Sequence, residues 1–190
     1  NIYFEKKSTS IMKIHIRQEI PSDYQAVFEL VQKAFEQEEY SDHQEQFLVE
    51  KLRQSTGFIP KLALVAEIDG KPVGYILVTR IKIVNEENQE NYPSLALAPI
   101  AVLPEFQGKG IGGKLIVEVH QIAKQLDFGS IILLGHADYY PRFGYEQTVK
   151  YGIKMPFEVP DENCMIIELH QGALVGVKGM VVYPKEFGIT

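Results

Sequence analysis

Cysteine and long apolar runs are both scarce in this sequence. Its 190 residues contain a single cysteine, Cys164. One cysteine cannot form a disulfide within the chain, which excludes a disulfide framework. None of the apolar runs approaches the roughly 20 residues that a membrane-spanning helix needs. We therefore expect a cytoplasmic protein with no membrane partner.

Positively charged residues are also fewer than negatively charged ones. The chain has 19 Lys and Arg residues against 25 Asp and Glu residues, a formal net charge of −6. Such a balance argues against a general nucleic-acid-binding protein. No His, Cys or Asp cluster has the spacing of a metal site, so we expect no metal cofactor. The first ten residues are polar and charged, and no signal peptide is visible.

Length and composition predict one domain. With 45% hydrophobic residues, a chain of 190 residues can build a large core. We expect a weakly ordered N-terminal extension over residues 1–12, because no clear pattern appears there. The domain then spans 13–190, with an extra apolar stretch at 173–183 near its end.

Hydrophobic periodicity predicts a mixture of strands and helices. A helix should follow Pro21, and a second should carry Phe47 to Leu52. Asp69-Gly70 between two apolar runs predicts a β-hairpin. A third helix is expected over 115–126. The predicted strands are 13–17, 62–68, 72–81, 94–102, 130–134, 149–155 and 165–169.

The segment from Pro99 to Leu115 organises the chain. It runs from the apolar end of a strand through a turn into the third predicted helix, and its turn contains Gly108, Gly110, Gly112 and Gly113. A glycine-rich turn at a helix start presents free backbone N–H groups and the positive end of the helix dipole. Without Cβ atoms, these groups can approach an anion closely, so the segment predicts a phosphate site.

Two familiar phosphate motifs fit this turn poorly. A P-loop needs Ser or Thr after its lysine to ligate Mg²⁺, and here Leu115 follows Lys114. The dinucleotide fingerprint G-x-G-x-x-G is met, but five residues separate it from its strand. The acidic residue that should follow, Asp138, also comes late. A third motif, the acyl-CoA loop Q/R-x-x-G-x-G/A, is matched by Gln107 to Gly112.

Two stretches resemble a known family. The strand, the Leu-Pro-Glu-Phe turn, the loop and the long helix resemble motif A of the GCN5-related N-acetyltransferases (GNAT). Tyr140-Pro-Arg-Phe-Gly-Tyr145 is similar to the family's Y-x-x-x-G-F pattern, with Tyr145 in place of Phe. The longer run 135–145 resembles the YhbS-like subgroup in particular. The resemblance extends from about Lys13 to the C-terminus.

The resemblance implies an α/β fold of the GNAT type. It would have a mixed, mostly antiparallel seven-stranded sheet, helices on both faces, and a split between the fourth and fifth strands. Pro99 agrees with such a split, because a proline inside a strand removes a hydrogen-bond donor and favours a bulge. The implied cosubstrate is acetyl-CoA. The implied cofactor-binding residues are Ile100, Ala101, Val102, Gln107, Gly108, Lys109, Gly110, Ile111, Gly112 and Gly113.

Tyr140 is the candidate catalytic residue. In the family pattern, its position belongs to the general acid that protonates the leaving thiolate. Tyr139 is the alternative to it, and His136 is a weaker candidate. The general base stays unassigned, because a solvated helix face explains the possible carboxylates equally well. These carboxylates are Asp42, Glu45 and Glu50.

We therefore expect an acetyl-CoA-dependent N-acetyltransferase. The acetyl group would move to an amine acceptor by direct attack within a ternary complex. A catalytically inactive acyl-CoA-binding regulatory module is the alternative. The acceptor could be a small molecule or a protein amine, and the acidic region 36–50 favours a cationic one by electrostatic steering. The chain could also act as a homodimer.

Overall fold

A computed structural model of the protein describes residues 11–189, so the predicted extension lies almost wholly outside the described residues. This part contains three α-helices: α1 Tyr24–Phe35, α2 Glu45–Arg53 and α3 Ile111–Gln125. It also contains nine strands: β1 Ile14–Gln18, β2 Ala63–Ile68, β3 Lys71–Val84, β4 Asn91–Val102, β5 Ser130–Leu134, β6 Glu146–Gln147, β7 Ile153–Lys154, β8 Cys164–Glu168 and β9 Gly179–Val182. No helix in 11–189 is long and apolar enough to cross a membrane.

All nine strands of residues 11–189 belong to one sheet. Its main path has seven strands in the order β1-β2-β3-β4-β5-β8-β6, while β7 and β9 lie off this path. Neighbours along the main path pair antiparallel except for β4 and β5, which are parallel. The predicted α/β fold with a mostly antiparallel sheet is confirmed. The seven predicted strands did not include β6, which has only two residues, or β9.

The β4 strand changes its pairing near Pro99. On the β3 side, Val78 pairs with Leu97 and Ile76 with Ile100, so Ala98 and Pro99 together oppose one residue. This two-against-one arrangement is a β-bulge, as expected where proline supplies no donor. On the β5 side, pairing stops early and includes only Leu95 with Ile131 and Ala96 with Ile132. The predicted split between the fourth and fifth strands is therefore present.

Each face of the sheet is covered by its own layer. Helix α3 packs on one face, over a core that includes Ile76, Leu95 and Ile131. On the opposite face, α1 and α2 cover residues such as Val65 and Leu77. Adjacent strand residues point to opposite faces, which explains why Ile76 and Leu77 belong to different layers. Helices on both faces are as predicted.

The C-terminal segment completes the face opposite α3. Val181 of β9 and Leu174 pack there against Ile132 and Ile166. The aromatic ring of Phe187 contacts both this cluster and the one beneath α1 and α2. β9 also pairs with the last residues of β3. The apolar stretch predicted at 173–183 thus forms turns followed by β9.

Some element boundaries differ from those predicted. Helix α3 starts at Ile111, four residues before the first predicted helical position, so two glycines fall in its first turn. The strand predicted at 149–155 is instead a 3-10 turn over Thr148–Tyr151 followed by the short β7. Gly152 separates the two with a φ of 68°, a left-handed conformation that interrupts an extended strand.

A buried ion pair joins α2 to the sheet at the end of β1. The side chains of Glu19 and Arg53 are only 2% and 5% exposed, and they form a salt bridge. The Tyr75 hydroxyl donates to Glu19 Oε2 at 3.3 Å, and the Arg53 guanidinium stacks 3.9 Å from the Tyr24 ring centroid. Burial raises the pKa of Glu19. The pair thereby ties α2 to the sheet and to the start of α1.

We predict that Arg53→Ala will lower the free energy of unfolding by about 3 kcal/mol or more, because it leaves a buried carboxylate without its partner. Lys51→Ala, an exposed change on the same helix, should cost no more than about 0.5 kcal/mol. Urea denaturation of both variants measures the difference. Equal, small losses would contradict a stabilising role for the ion pair.

Candidate active site

The glycine-rich turn forms the N-terminus of α3. Gly110 is the N-cap residue, with a φ of 79°. This left-handed conformation suits glycine and turns the chain directly into the helix. The first hydrogen bond of α3 runs from Lys114 N to Gly110 O, at 3.1 Å. The N–H groups of Ile111, Gly112 and Gly113 therefore have no partner within the helix, as the start of any α-helix requires.

A cleft of about 410 Å³ opens in front of these N–H groups. Seven of the ten cofactor-binding residues predicted from the sequence line it; the exceptions are Ile100, Ala101 and Lys109. The Lys109 ammonium instead lies 5.3 Å from the Phe106 ring centroid. The cleft therefore combines free backbone donors with the positive end of a helix dipole, which suits an anion.

Backbone direction at the end of β4 distinguishes Ala101 from its neighbours Ile100 and Val102. Leu103 N donates to Val73 O, on the β3 side of the strand. Since successive residues of a strand direct their N–H and C=O groups to alternate sides, Ala101 also faces β3. The N–H groups of Ile100 and Val102 face the opposite side, toward the gap between β4 and β5.

Gln107 fixes the turn between this strand and the cleft. Its side-chain Nε2 donates to Val102 O at 3.1 Å, so the carbonyl at the end of β4 is satisfied by a side chain rather than by a strand partner. The contact also holds the glycine-rich turn against β4. Val102 also lines the anion cleft, so the end of β4 and the glycine-rich turn meet at this residue.

Tyr140 lies beneath the end of β5. Its ring packs so closely on Gly135 that a Cβ there would come within 2.2 Å of a ring carbon. The side chain is 8% exposed, and burial raises the pKa of Tyr140 to about 12. Among residues 11–189 its hydroxyl has no hydrogen-bond partner. Tyr140 is thus a protonated phenol with an unused donor, at the edge of the split.

Tyr139 faces a different environment. Its hydroxyl lies 3.5 Å from the position that a Cβ on Gly112 would occupy, so it projects over the first turn of α3. Tyr139, Arg142 and Phe143 line the anion cleft together with the glycines. Arg142 and Phe143 were not predicted as site residues from the sequence. Their only sequence mark is a place inside the Tyr140–Tyr145 motif.

Tyr145, which stands where the Y-x-x-x-G-F pattern has phenylalanine, makes a contact through its hydroxyl that phenylalanine could not make. Its hydroxyl lies 2.9 Å from His120 Nε2 on α3, and its ring stands edge-on to Tyr140 with centroids 5.9 Å apart. Burial lowers the pKa of His120 to about 4, so the imidazole stays neutral near pH 7. The pair attaches the turn that carries Tyr140 to the helix that carries the anion cleft.

The other titratable candidates lie outside this arrangement. His136 is exposed, and its carbonyl accepts a hydrogen bond from Tyr139 N at 3.1 Å. Asp42 accepts a hydrogen bond from Gln44 N in the α1–α2 connection, and Glu50 lines a groove between those helices. One oxygen of Glu45 accepts from the Ser41 hydroxyl, and the other is buried without a partner. Within 11–189, no three His, Cys, Asp or Glu side chains could hold a metal ion.

A mixed sheet that splits beside a proline bulge and leads to a glycine-rich helix start is the arrangement that the resemblance to the acetyltransferases implied. The acetyltransferase (GNAT) family model matches residues 24–145. This chain therefore belongs to the GNAT family of acetyltransferases. The family assignment and the enzyme class predicted from the sequence are confirmed.

Two relatives from Escherichia coli K12 are similar in sequence. The uncharacterized N-acetyltransferase YjhQ is 38% identical over 118 residues, which cover 61% of this chain and 64% of YjhQ, slightly less than two thirds. The uncharacterized N-acetyltransferase YhbS is 26% identical over 172 residues, which cover 90% of this chain and 97% of YhbS. The predicted similarity to YhbS is confirmed.

Two solved structures share the fold over nearly the whole chain. The Escherichia coli YhbS structure, in complex with CoA, has a TM-score of 0.83 at 26% identity and covers 93% of each chain. A GNAT family acetyltransferase from Brucella melitensis, in complex with acetyl-CoA, has a TM-score of 0.72 at 29% identity. That match covers 93% of this chain and 99% of the other.

The buried imidazole predicts a pH-dependent stability. In the unfolded chain His120 should titrate near 6.5, whereas in the folded protein its pKa is about 4. Between these values the unfolded state binds the additional proton, so stability is present above pH 6.5 and is lost as the pH falls toward 4. His120→Gln should make the loss between pH 7 and 5 smaller.

Urea denaturation at the two pH values tests this prediction. His170→Gln is the matched control, because His170 is exposed. An unchanged pH dependence in His120→Gln would show that another group causes the loss.

Proposed function

We propose that the protein transfers the acetyl group of acetyl-CoA to an amine by direct attack within a ternary complex. The observation that carries this proposal is an anion cleft at the start of α3 that includes Val102, at the end of β4 where pairing with β5 has stopped. In acetyl-CoA a long arm joins the thioester to a pyrophosphate, so the cofactor could reach both the split and the cleft. The CoA and acetyl-CoA complexes of the two similar structures support the same cosubstrate.

The cofactor's phosphates would bind at the start of α3. The free N–H groups of Ile111, Gly112 and Gly113 are available donors there, and Gly108 and Gly110 leave room for close approach. Gln107 would act indirectly, by holding the turn in place. We infer no direct role for Lys109, whose ammonium stacks on Phe106.

The thioester would lie in the split. There the N–H groups of Ile100 and Val102 could donate to the carbonyl oxygen as negative charge develops on it. Ala101, predicted with them, would contribute only as the residue between them, because its backbone faces β3. Backbone donors suit this task, since they are already oriented before the reaction begins.

The chemical step requires one bond to form and one to break. The amine nitrogen attacks the thioester carbon and passes a proton to water, and the tetrahedral intermediate then collapses with cleavage of the C–S bond. Tyr140 would donate its proton to the departing sulfur and recover one from water. A phenol with a pKa of about 12 retains its proton at neutral pH, so it is ready to donate.

The charge around the connection between α1 and α2 favours a cationic amine as the acceptor. The region 36–50 carries several exposed carboxylates, among them Glu36, Glu38, Glu39 and Asp42. A negative field at this position would attract a cationic amine, whether it belongs to a small molecule or to a protein lysine. A panel of both kinds of amine, with detection of the released CoA thiol, would identify the class.

We predict that acetyl-CoA will raise the melting temperature, because a ligand that binds only the folded state stabilises it. Gly110→Asp should abolish the shift, since it places a negative charge beside the proposed phosphate site. Gly70→Asp is the matched control, because Gly70 lies in a hairpin with a similar φ of 74°. A shift with ATP and Mg²⁺ but none with acetyl-CoA would contradict the proposal.

Tyr140→Phe tests the general acid. It keeps the packed ring and removes the proton donor, so turnover should fall about 10²-fold, which is typical for a general acid. Affinity for CoA should hardly change, because the phosphates bind elsewhere. Rates per folded molecule and CoA binding should be measured on the same preparation.

Tyr139→Phe provides the comparison for this test. Full activity in Tyr140→Phe together with a large loss in Tyr139→Phe would move the acid role to Tyr139. CoA binding by a wild-type protein that transfers no acetyl group to any amine would instead favour the inactive regulatory module.

A further inference from the structure

The lining of the anion cleft includes a positively charged side chain, Arg142, which lies outside the glycine motif. Arg142, in the turn after β5, lines the cleft together with Gly108 and Gly112. Its guanidinium stacks 4.6 Å from the Tyr139 ring centroid. Nε donates to Tyr139 O at 2.9 Å, and Nη2 donates to Asp138 O at 3.4 Å. The stacking and the two hydrogen bonds hold the group in one orientation.

The charge of Arg142 is not neutralised locally. Both hydrogen bonds end on backbone carbonyls, and within 11–189 no carboxylate lies at salt-bridge distance from this guanidinium. An arginine has five N–H donors, so three remain free for a ligand. The side chain is exposed on the rim of the cleft. An oriented, unpaired guanidinium with free donors is well suited to a phosphate, which it can bind through two hydrogen bonds.

The neighbouring aromatic rings bring this side of the cleft close to α3. The Tyr139 hydroxyl lies 3.5 Å from the Cβ position of Gly112, and the Phe143 ring lies 3.3 Å from that of Gly113. The Tyr139 hydroxyl is therefore beside the free N–H groups of the helix start. The ring that supports Arg142 thus belongs to the same small volume as the proposed phosphate site.

We propose that Arg142 binds the pyrophosphate of CoA, with Tyr139 as its supporting surface and as a second donor. The cofactor's phosphates are then bound both by backbone N–H groups of α3 and by the guanidinium of Arg142. This inference rests on the proposed function, which supplies the ligand. It adds a charged binding residue to a site that otherwise consists of backbone donors.

Calorimetric titration with CoA and with dephospho-CoA tests the proposal. Dephospho-CoA lacks the ribose 3′-phosphate but keeps the pyrophosphate. Arg142→Gln should weaken the binding of both ligands about tenfold or more, the usual effect of losing a charge-assisted hydrogen bond. Tyr139→Leu, which removes the stacking surface, should weaken both by a smaller factor.

Arg80→Gln is the matched control. Arg80 is also an exposed arginine beside an aromatic ring, 5.6 Å from the Phe128 centroid, but Phe128 follows the far end of α3. Its removal takes the same charge from the protein without touching the cleft. CoA affinity in Arg80→Gln should stay within about twofold of the wild-type value. Melting temperatures of the ligand-free variants establish that each is folded.

Three results would each overturn the proposal. Unchanged affinity in Arg142→Gln would show that the guanidinium does not contact the cofactor. A loss confined to CoA would place Arg142 at the 3′-phosphate instead of the pyrophosphate. Equal losses of CoA affinity in Arg142→Gln and Arg80→Gln would show that the effect comes from the overall charge of the protein. If the wild-type protein bound neither ligand, the proposed function itself would fail, which is a separate and recognisable outcome.

Discussion

The site depends on where hydrogen bonding between β4 and β5 stops. Two residues of each strand pair, ending at Ala96 and Ile132, and the strands then separate. The buried hydroxyls of Ser94 and Ser130, 2.7 Å apart, join the strands just before the first of these pairs. Beyond them, the Pro99 bulge redirects β4. Free backbone donors in a folded protein need such a separation, because a paired strand would have used them.

Two adjacent tyrosines serve different parts of this arrangement. Tyr140 is packed beneath Gly135 at the end of β5, whereas Tyr139 extends over the start of α3. They lie at the beginning of a 3-10 turn, where consecutive side chains are about 120° apart, so neighbours face different surroundings. Tyr140 is consequently near the split and Tyr139 near the anion cleft. Proximity in sequence therefore says little about shared chemistry here.

Much of the fold could be predicted because its determinants are local. Asp69-Gly70 specifies a hairpin, Pro99 a bulge, and the Gly108–Gly113 run a turn into a helix; each acts through the backbone of its own residues. The partnership of His120 with Tyr145 is different. It joins residues 25 positions apart, and only the packing of α3 against the turn after β5 creates it. The same packing brings Arg142 to the cleft, and no spacing in the sequence indicates it.

The pairing of β9 with β3 has a consequence for the behaviour of the chain in solution. β2 pairs with the first half of β3, to Leu77, and leaves the outer edge of the second half without a partner from that side. β9 covers this edge from Lys82 to Val84. A protein shortened before Gly179 would expose those N–H and C=O groups beside apolar side chains. Open strand edges of this kind pair with strands from other molecules. By covering the edge of β3, the C-terminal segment therefore also protects the protein against aggregation.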